Sequence, residues 1–239
     1  MSMKVYLIGA GLGNSQYLTQ QAKDLLNEAN ILIYDALVDE SILNLVPTKC
    51  RQIYVGKRGG EPSTPQTEIN RLLVHYAQKN QTVIRLKNGD PFIFGRAREE
   101  IEALKKANCK VEIIPGLSSA ITAPLLAGIP LTDKLLSRSF SVITAHEPDQ
   151  LDWNALARID TIVILMGGRN LNLIVKKLTR EGKPLSCPIA IIKSAGTEEQ
   201  KVWVSTLETI VETTQNMKLS PSIMVIGEVV NLRMVSNLN

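Results

Sequence analysis

Residues 5 to 34 read in succession as strand, turn, helix and strand, and this unit constrains the fold more than any other part of the chain. Val5-Tyr6-Leu7-Ile8 is apolar throughout and runs into Gly9-Ala10-Gly11-Leu12-Gly13-Asn14. A helix-like stretch from Tyr17 to Ala29 follows, and then a second apolar strand, Ile31 to Tyr34. Short strands that alternate with helices build a parallel α/β sheet, and in such sheets ligands bind at the carboxyl edge of the strands. The same arrangement recurs at Thr82 to Leu86, a buried strand that ends in Asn88-Gly89-Asp90-Pro91. Here Gly89 is free to adopt positive φ and Pro91 ends the ladder, so this turn too sits at a carboxyl edge. Asp90 is placed to hydrogen-bond a polar ligand that the backbone at Gly89 approaches closely. Taken alone, the four residues would also serve as an ordinary surface turn.

The first turn is part of a dinucleotide fingerprint, with Asp35 in the place of the acidic residue that holds a ribose. The third glycine of that fingerprint falls on Asn14, and Asp35 comes late. A close strand-to-helix crossing also needs small residues, so the glycines by themselves leave a cofactor role and a packing role open.

The remaining elements extend the alternation. Thr64-Pro65 precedes a helix on which Ile69, Leu72, Leu73 and Tyr76 recur at helical spacing, with His75 on the polar side. Val111 to Ile114 closes a first α/β unit, Pro115-Gly116 breaks the pattern, and the small-residue run Leu117 to Ala127 starts a new element that Gly128 ends. Further strands are expected at Phe140 to Thr144, Thr161 to Leu165, Ile189 to Lys193, Lys201 to Ser205 and Ile223 to Ile226. Only some of these alternate with helices. The expectation is therefore an α/β protein of two α/β domains, 3–117 with a parallel sheet and 118–235 with a mixed one, and an active-site cleft between them.

The 239 residues, 44% of them apolar, suffice for real cores. No apolar run approaches the roughly 18 residues of a membrane span, and Met1-Ser2-Met3-Lys4 leads straight into a strand. No membrane association is expected, and a cytoplasmic location is. Cys50, Cys109 and Cys187 are odd in number and far apart, which suits reduced buried thiols, and with only His75 and His146 no metal site is expected. A net charge of +4 and 4% aromatic residues argue against nucleic acid as a partner, since base stacking wants aromatics among the cations. The cations Lys57, Arg58, Arg85, Lys87, Arg96 and Arg98 gather around the polar turns, which suits a small polyanion.

In this order, Gly9-Ala10-Gly11-Leu12-Gly13, Tyr34-Asp35-Ala36-Leu37-Val38, Gly56-Lys57-Arg58, Gln66-Thr67-Glu68-Ile69-Asn70, Arg85 through Arg96, Pro115-Gly116-Leu117-Ser118-Ser119-Ala120, Ala127-Gly128-Ile129-Pro130-Leu131-Thr132 and Met166-Gly167 resemble the tetrapyrrole methylases over nearly the whole chain. That family usually has Pro at Leu12, Gly at Asn88 and Gly-Gly at Ala97-Arg98. It has Thr-Gly-His at Thr144-Ala145-His146 and His-Arg at Asp133-Lys134.

The resemblance implies methylation of a tetrapyrrole, uroporphyrinogen III, at C-2 and C-7, with S-adenosyl-L-methionine as the donor and a homodimer as the working unit. It implies that Leu12, Asn88, Gly89, Asp90, Ile93, Ser118, Ser119, Met166 and Ala195 hold the donor, although Met166 suits a core filler as well. Arg96, Glu99, Lys134 and His146 are implied for the acceptor. Asp35 is implied as proton acceptor and Lys57 as proton donor. From its residue type and place, Asp35 could equally be a cap or turn residue, and Lys57 a grip on a substrate carboxylate. Three other readings stay in view: the same fold acting on a later corrin precursor, an RNA or a protein; a nicotinamide-dependent dehydrogenase built on the turn at Gly9; and a non-catalytic tetrapyrrole carrier.

Overall fold

The computed structural model describes residues 4–56, 64–79 and 81–234. The chain divides into two compact units, Met1–Ser118 and Ser119–Asn239.

The first unit is built on β1 (Lys4–Gly9), β2 (Ile31–Tyr34), β3 (Arg51–Tyr54), β4 (Val83–Lys87) and β5 (Lys110–Ile114), in the sheet order β3-β2-β4-β1-β5. Every pairing is parallel. The helices are α1 (Gln20–Leu26), α2 (Glu40–Leu43), α3 (Gln66–Ala77) and α4 (Ala97–Lys106). Alternation along the strands decides which helix packs where. Val5, Leu7, Ile31, Ile33 and Val83 point to one face and form a core with Ile69, Leu73 and Tyr76 of α3 and with Ala97 and Leu104 of α4. Ile8, Leu32, Ile84 and Leu86 point to the other and pack on Ala22 and Leu26 of α1 and Ile42 of α2.

Two expectations change. The helix expected from Tyr17 to Ala29 is shorter, because the Asn14 side chain accepts from Gln16 N at 3.1 Å and caps one 3-10 turn. Thr19 then accepts from Ala22 N at 3.2 Å and starts α1 at Gln20. The unanticipated strand is β3. As an edge strand it buries little, so Arg51-Gln52-Ile53-Tyr54 carries no apolar signal.

The second unit holds α5 (Ser119–Leu126), β6 (Phe140–Thr144), α6 (Trp153–Ala157), β7 (Thr161–Leu165), α7 (Leu171–Arg180), β8 (Pro188–Lys193), β9 (Lys201–Thr206), α8 (Ile210–Thr213) and β10 (Ser222–Ile226). Its sheet order is β6-β7-β10-β8-β9. Only β6 and β7 are parallel, and the other three pairings are antiparallel, so this sheet is mixed. The α7 residues Leu171, Ile174, Val175 and Leu178 pack with Ile162, Ile164, Ile189, Ile191 and Met224 of the strands. Gly128 ends the element opened by α5 with φ +72, as the small-residue run indicated.

Cys50, Cys109 and Cys187 are free and buried, and burial pushes each thiol up. No described helix is long and apolar enough to cross a membrane, and no group of His, Cys, Asp and Glu among the described residues could hold a metal.

Candidate functional site

Three backbones meet at the carboxyl edge of the first sheet. Gly11 and Gly89 exchange hydrogen bonds, Gly11 N to Gly89 O at 3.2 Å and Gly89 N to Gly11 O at 2.7 Å, so the two turns are tied together directly. The third backbone is that of Gly116, after β5. A Cβ on Gly116 would stand 2.3 Å from Gly89 O and 2.6 Å from Gly9 Cα, and one on Gly9 would stand 2.5 Å from Gly116 N and Gly89 O. Only glycine permits this approach. Asp90 closes the junction, its Oδ1 accepting from Phe92 N at 2.9 Å and its Oδ2 from Gly116 N at 3.3 Å. Leu12, Asn88, Gly89, Asp90 and Ser118 are thus half-buried on three segments brought to one edge, with Ile93 exposed beside them.

Asp35 lies at the same edge, one residue beyond β2, and donates its N–H to Leu86 O at 3.3 Å. Its O accepts from Val38 N at 3.4 Å and so opens a turn, but its side chain caps no helix. Asp39 caps α2, and the Asp35 Oδ1 instead receives Arg85 Nη2 at 2.6 Å. Lys57 and Arg58 lie outside the described residues; Gly56, before them, packs so closely on Ala36 that a Cβ there would stand 2.2 Å from Ala36 N.

Arg85 and Lys87 do not face a ligand, contrary to the expectation that they flank the turn as free cations. Both are on the α3 and α4 face of β4 and are buried, at 2% and 3% exposure. Glu100 of α4, fully buried, accepts on Oε1 from Arg85 Nε at 3.0 Å and Lys87 Nζ at 2.9 Å. Burial lowers the Arg85 guanidinium, but the Asp35 and Glu100 carboxylates outweigh it and hold it above its usual value. Burial and the neighbouring Arg85 charge depress Lys87, offset only in part by Glu100 and Asp35. Glu100 is the residue that sequence reading missed. Its signal was its place in the stripe with Ala97 and Leu104, spaced three and four apart on the buried side of α4.

The turn after β4 continues into an exposed apolar run, with Phe92 at 61%, Ile93 at 42% and Phe94 at 44% exposure. It ends on Arg96, whose guanidinium is held by Glu99 through Nε to Oε1 at 2.8 Å and Nη2 to Oε2 at 2.9 Å. Both side chains are accessible, so this pair is available to a carboxylated ligand. Arg98 pairs with Glu102 further along α4.

In the second unit, Met166 follows β7, Ala195 follows β8 and His146 follows β6. The register of β6, β7, β10 and β8 puts all three at one edge of the sheet, with Thr144 opposite Leu165, Leu165 opposite Ile223 and Ser222 opposite Lys193. Met166 is no core filler: it is 49% exposed with φ 56. Lys134 is not brought to this edge. Its loop is fixed at the start of β7, where Ser137 Oγ lies 2.8 Å from Thr161 Oγ1 and Arg138 N donates to Asp160 Oδ2 at 3.3 Å. Ser119 opens α5 and is half-buried.

Among the described residues, six non-glycines have left-handed φ. Asn108 and Asn216 are of a type that tolerates it, but Phe94, Arg96, Met166 and Ser194 are not. Strain of this kind costs about 1 to 3 kcal/mol at each position and concentrates at ligand sites. All four belong to the segments that carry the candidate residues.

The geometry disposes of the dinucleotide reading. A pyrophosphate cradle needs the glycines to open directly onto a helix, whereas α1 begins at Gln20, after a capped 3-10 turn. The glycine backbone is spent on the second turn. For a ligand at this junction, Asp90→Ala is expected to weaken S-adenosylhomocysteine by about 1.5 to 3 kcal/mol, the cost of a charged hydrogen bond. Calorimetry on the folded variant measures this, and unchanged affinity would take Asp90 out of the site.

The chain matches the family of tetrapyrrole (corrin/porphyrin) methylases over residues 4–211. It is 53% identical over 233 residues to the uroporphyrinogen-III C-methyltransferase of Synechococcus elongatus, covering 98% of this chain and 96% of that protein. It is 43% identical over 233 residues to the siroheme synthase of Baumannia cicadellinicola, covering 95% of this chain and 50% of that one. A crystal structure of the uroporphyrin-III C-methyltransferase from Thermus thermophilus, complexed with S-adenyl homocysteine, superimposes with a TM-score of 0.83 at 36% identity, covering 96% of this chain and 99% of the other.

Proposed function

The chain belongs to the tetrapyrrole methylases, and on that premise we propose that it methylates uroporphyrinogen III at C-2 and C-7 to give precorrin-2, for siroheme or cobalamin synthesis. S-adenosylmethionine supplies the methyl group as a sulfonium. The observation that carries this reading is the junction of Gly11, Gly89 and Gly116 under Asp90. It holds at one edge a carboxylate with lone pairs to spare, which suits ribose hydroxyls or an ammonium. Leu12 and Ile93 suit the apolar parts of that donor, and Asn88, Gly89 and Ser118 stand with them at the same edge; the resemblance to the family adds Ser119, Met166 and Ala195 to the proposed set.

No protein nucleophile is needed, since the pyrrole carbon attacks the methyl group. Positioning the two reactants supplies up to about 7 to 11 kcal/mol in ideal cases. Methylation leaves a quaternary carbon and a cationic ring, which is neutralised by loss of a proton from the pyrrole N–H or the adjoining bridging methylene, its bonding electrons forming the new double bond. Asp35 takes that proton and Lys57 is the proposed donor; Asp35 is a partly exposed carboxylate at the edge where the turns converge. Arg96, with Glu99, is proposed to meet substrate carboxylates and His146 to assist; Lys134, at the other edge of the second sheet, keeps that role only on the family resemblance. The exposed Phe92, Ile93 and Phe94 suit the apolar face of a macrocycle.

The working unit is proposed to be a cytoplasmic homodimer with no nucleic-acid partner. Ile121 and Leu125, one turn apart on α5 and 56% and 71% exposed, support self-association. Incubation with labelled S-adenosylmethionine and enzymatically made uroporphyrinogen III should give a product carrying two new methyl groups by mass spectrometry. Methylation only of a later corrin precursor, of RNA or of protein would replace this reading.

A further inference from the structure

A strand flanked by Val83, Ile84 and Leu86 has no structural need of two buried cations. Desolvating an ion costs several kcal/mol even after relaxation, and well-packed apolar residues of similar volume serve stability as well or better. Yet Arg85, Lys87 and Glu100 are all buried, and among the charged groups of their network within the described residues it is the Asp35 carboxylate, its side chain 27% exposed, that reaches the accessible surface. The guanidinium is fixed at three points. Nη1 donates to Leu86 O at 3.1 Å and Ile33 O at 3.4 Å, clamping it to the ends of β4 and β2. Nε is held by Glu100, and Nη2 is left to hold Asp35 Oδ1 at 2.6 Å. Glu100 is anchored in turn by Lys87 and, at 3.4 Å, by Gln66 Nε2 of α3, while its Oε2 has no partner among the described residues. A buried carboxylate oxygen left unsatisfied is a cost that this arrangement bears rather than relieves.

We infer that Arg85 is the positioning residue for Asp35: the rigid guanidinium, set by two strand carbonyls and by Glu100, aims the carboxylate at the proton it removes. This role rests on Asp35 being the proton acceptor. Arg85 touches no reacting atom. It engages Oδ1 and fixes the carboxylate plane, so that the proton leaving the cationic methylated ring, from its N–H or adjoining bridging methylene, meets an oriented lone pair while its bonding electrons return to the ring. Lysine cannot substitute, because one ammonium cannot reproduce a planar fork with four separate acceptors.

The test is a double-mutant cycle on the full chain with Arg85→Lys, Asp35→Asn and the pair, measuring kcat and KM for uroporphyrinogen III and calorimetric affinity for S-adenosylhomocysteine. Misplacing a reacting group by about 1 Å can cost around 10²-fold. Arg85→Lys is therefore expected to lower kcat by up to about that factor with KM and S-adenosylhomocysteine affinity within about twofold, and the double variant to be no slower than Asp35→Asn alone. Losses that multiply in the double variant, or wild-type kcat in Arg85→Lys, would overturn the positioning role and leave Asp35 as the base. Wild-type kcat in Asp35→Asn would overturn the base assignment itself, and the positioning role with it. If Arg85→Lys does not fold, Glu100→Gln, which removes the anchoring charge at nearly constant shape, is carried through the same cycle with the same expected non-additivity, and multiplying losses count against the inference.

Discussion

Asp35→Asn is expected to lower turnover by about 10²- to 10⁴-fold, the usual contribution of a general base, with S-adenosylhomocysteine binding unchanged. The amide keeps the shape of the carboxylate and an oxygen to accept from Arg85 Nη2, but it cannot take a proton. It also leaves the buried Arg85 facing one carboxylate fewer, so some stability is expected to be lost. Steady-state kinetics and thermal unfolding of the same preparation separate the two effects. Asp35 stands at the boundary between the buried ion network and the accessible edge, so the loss should fall on kcat and not on KM. Near-normal kcat would make this aspartate structural and shift attention to Arg96 or His146.

Gly116→Ala is expected to disrupt the junction of the turns. The added Cβ would stand 2.3 Å from Gly89 O and 2.6 Å from Gly9 C and Cα, and all of these are backbone atoms that no rotamer change can move. Overpacking typically costs about 1 to 3 kcal/mol, and at this site the upper end is expected. At roughly 2 to 4 °C per kcal/mol for a chain of this size, Tm should fall by about 6 to 12 °C. Donor affinity should fall with it, because relieving the clash separates the three segments that carry Leu12, Asp90 and Ser118. A variant with wild-type Tm and full affinity would mean that the close approach is dispensable.

Strands buried on both faces, such as Val5 to Ile8 and Thr161 to Leu165, announced themselves through unbroken apolar runs, and the turns at Gly9 and Asn88 through glycine and proline chemistry. The edge strand at Arg51–Tyr54 did not, since one of its flanks is open and its side chains are mostly accessible. Charge misled in the centre of the sheet. Arg85 and Lys87 looked like ligand cations because a strand sequence does not reveal which helix carries the counter-charge. Only the spacing of Glu100 with Ala97 and Leu104 held that information. The left-handed backbones of Phe94, Arg96, Met166 and Ser194 had no sequence signal either, because none of these residue types favours that conformation.

The order of strands in the first sheet has a consequence for synthesis. β1 leaves the ribosome well before its partners in the sheet, β4 and β5, which begin at Val83 and Lys110. Until those residues emerge, Val5-Tyr6-Leu7-Ile8 has no ladder partner in the sheet even though α1, α2 and α3, which cover its two faces, have been made, and β2 and β3 can pair only with each other. An apolar strand kept waiting for most of a domain is the kind of nascent segment that aggregates or recruits a chaperone. Placing the donor turns side by side therefore makes β1, synthesised before every other strand of this sheet, among the last to find its partners.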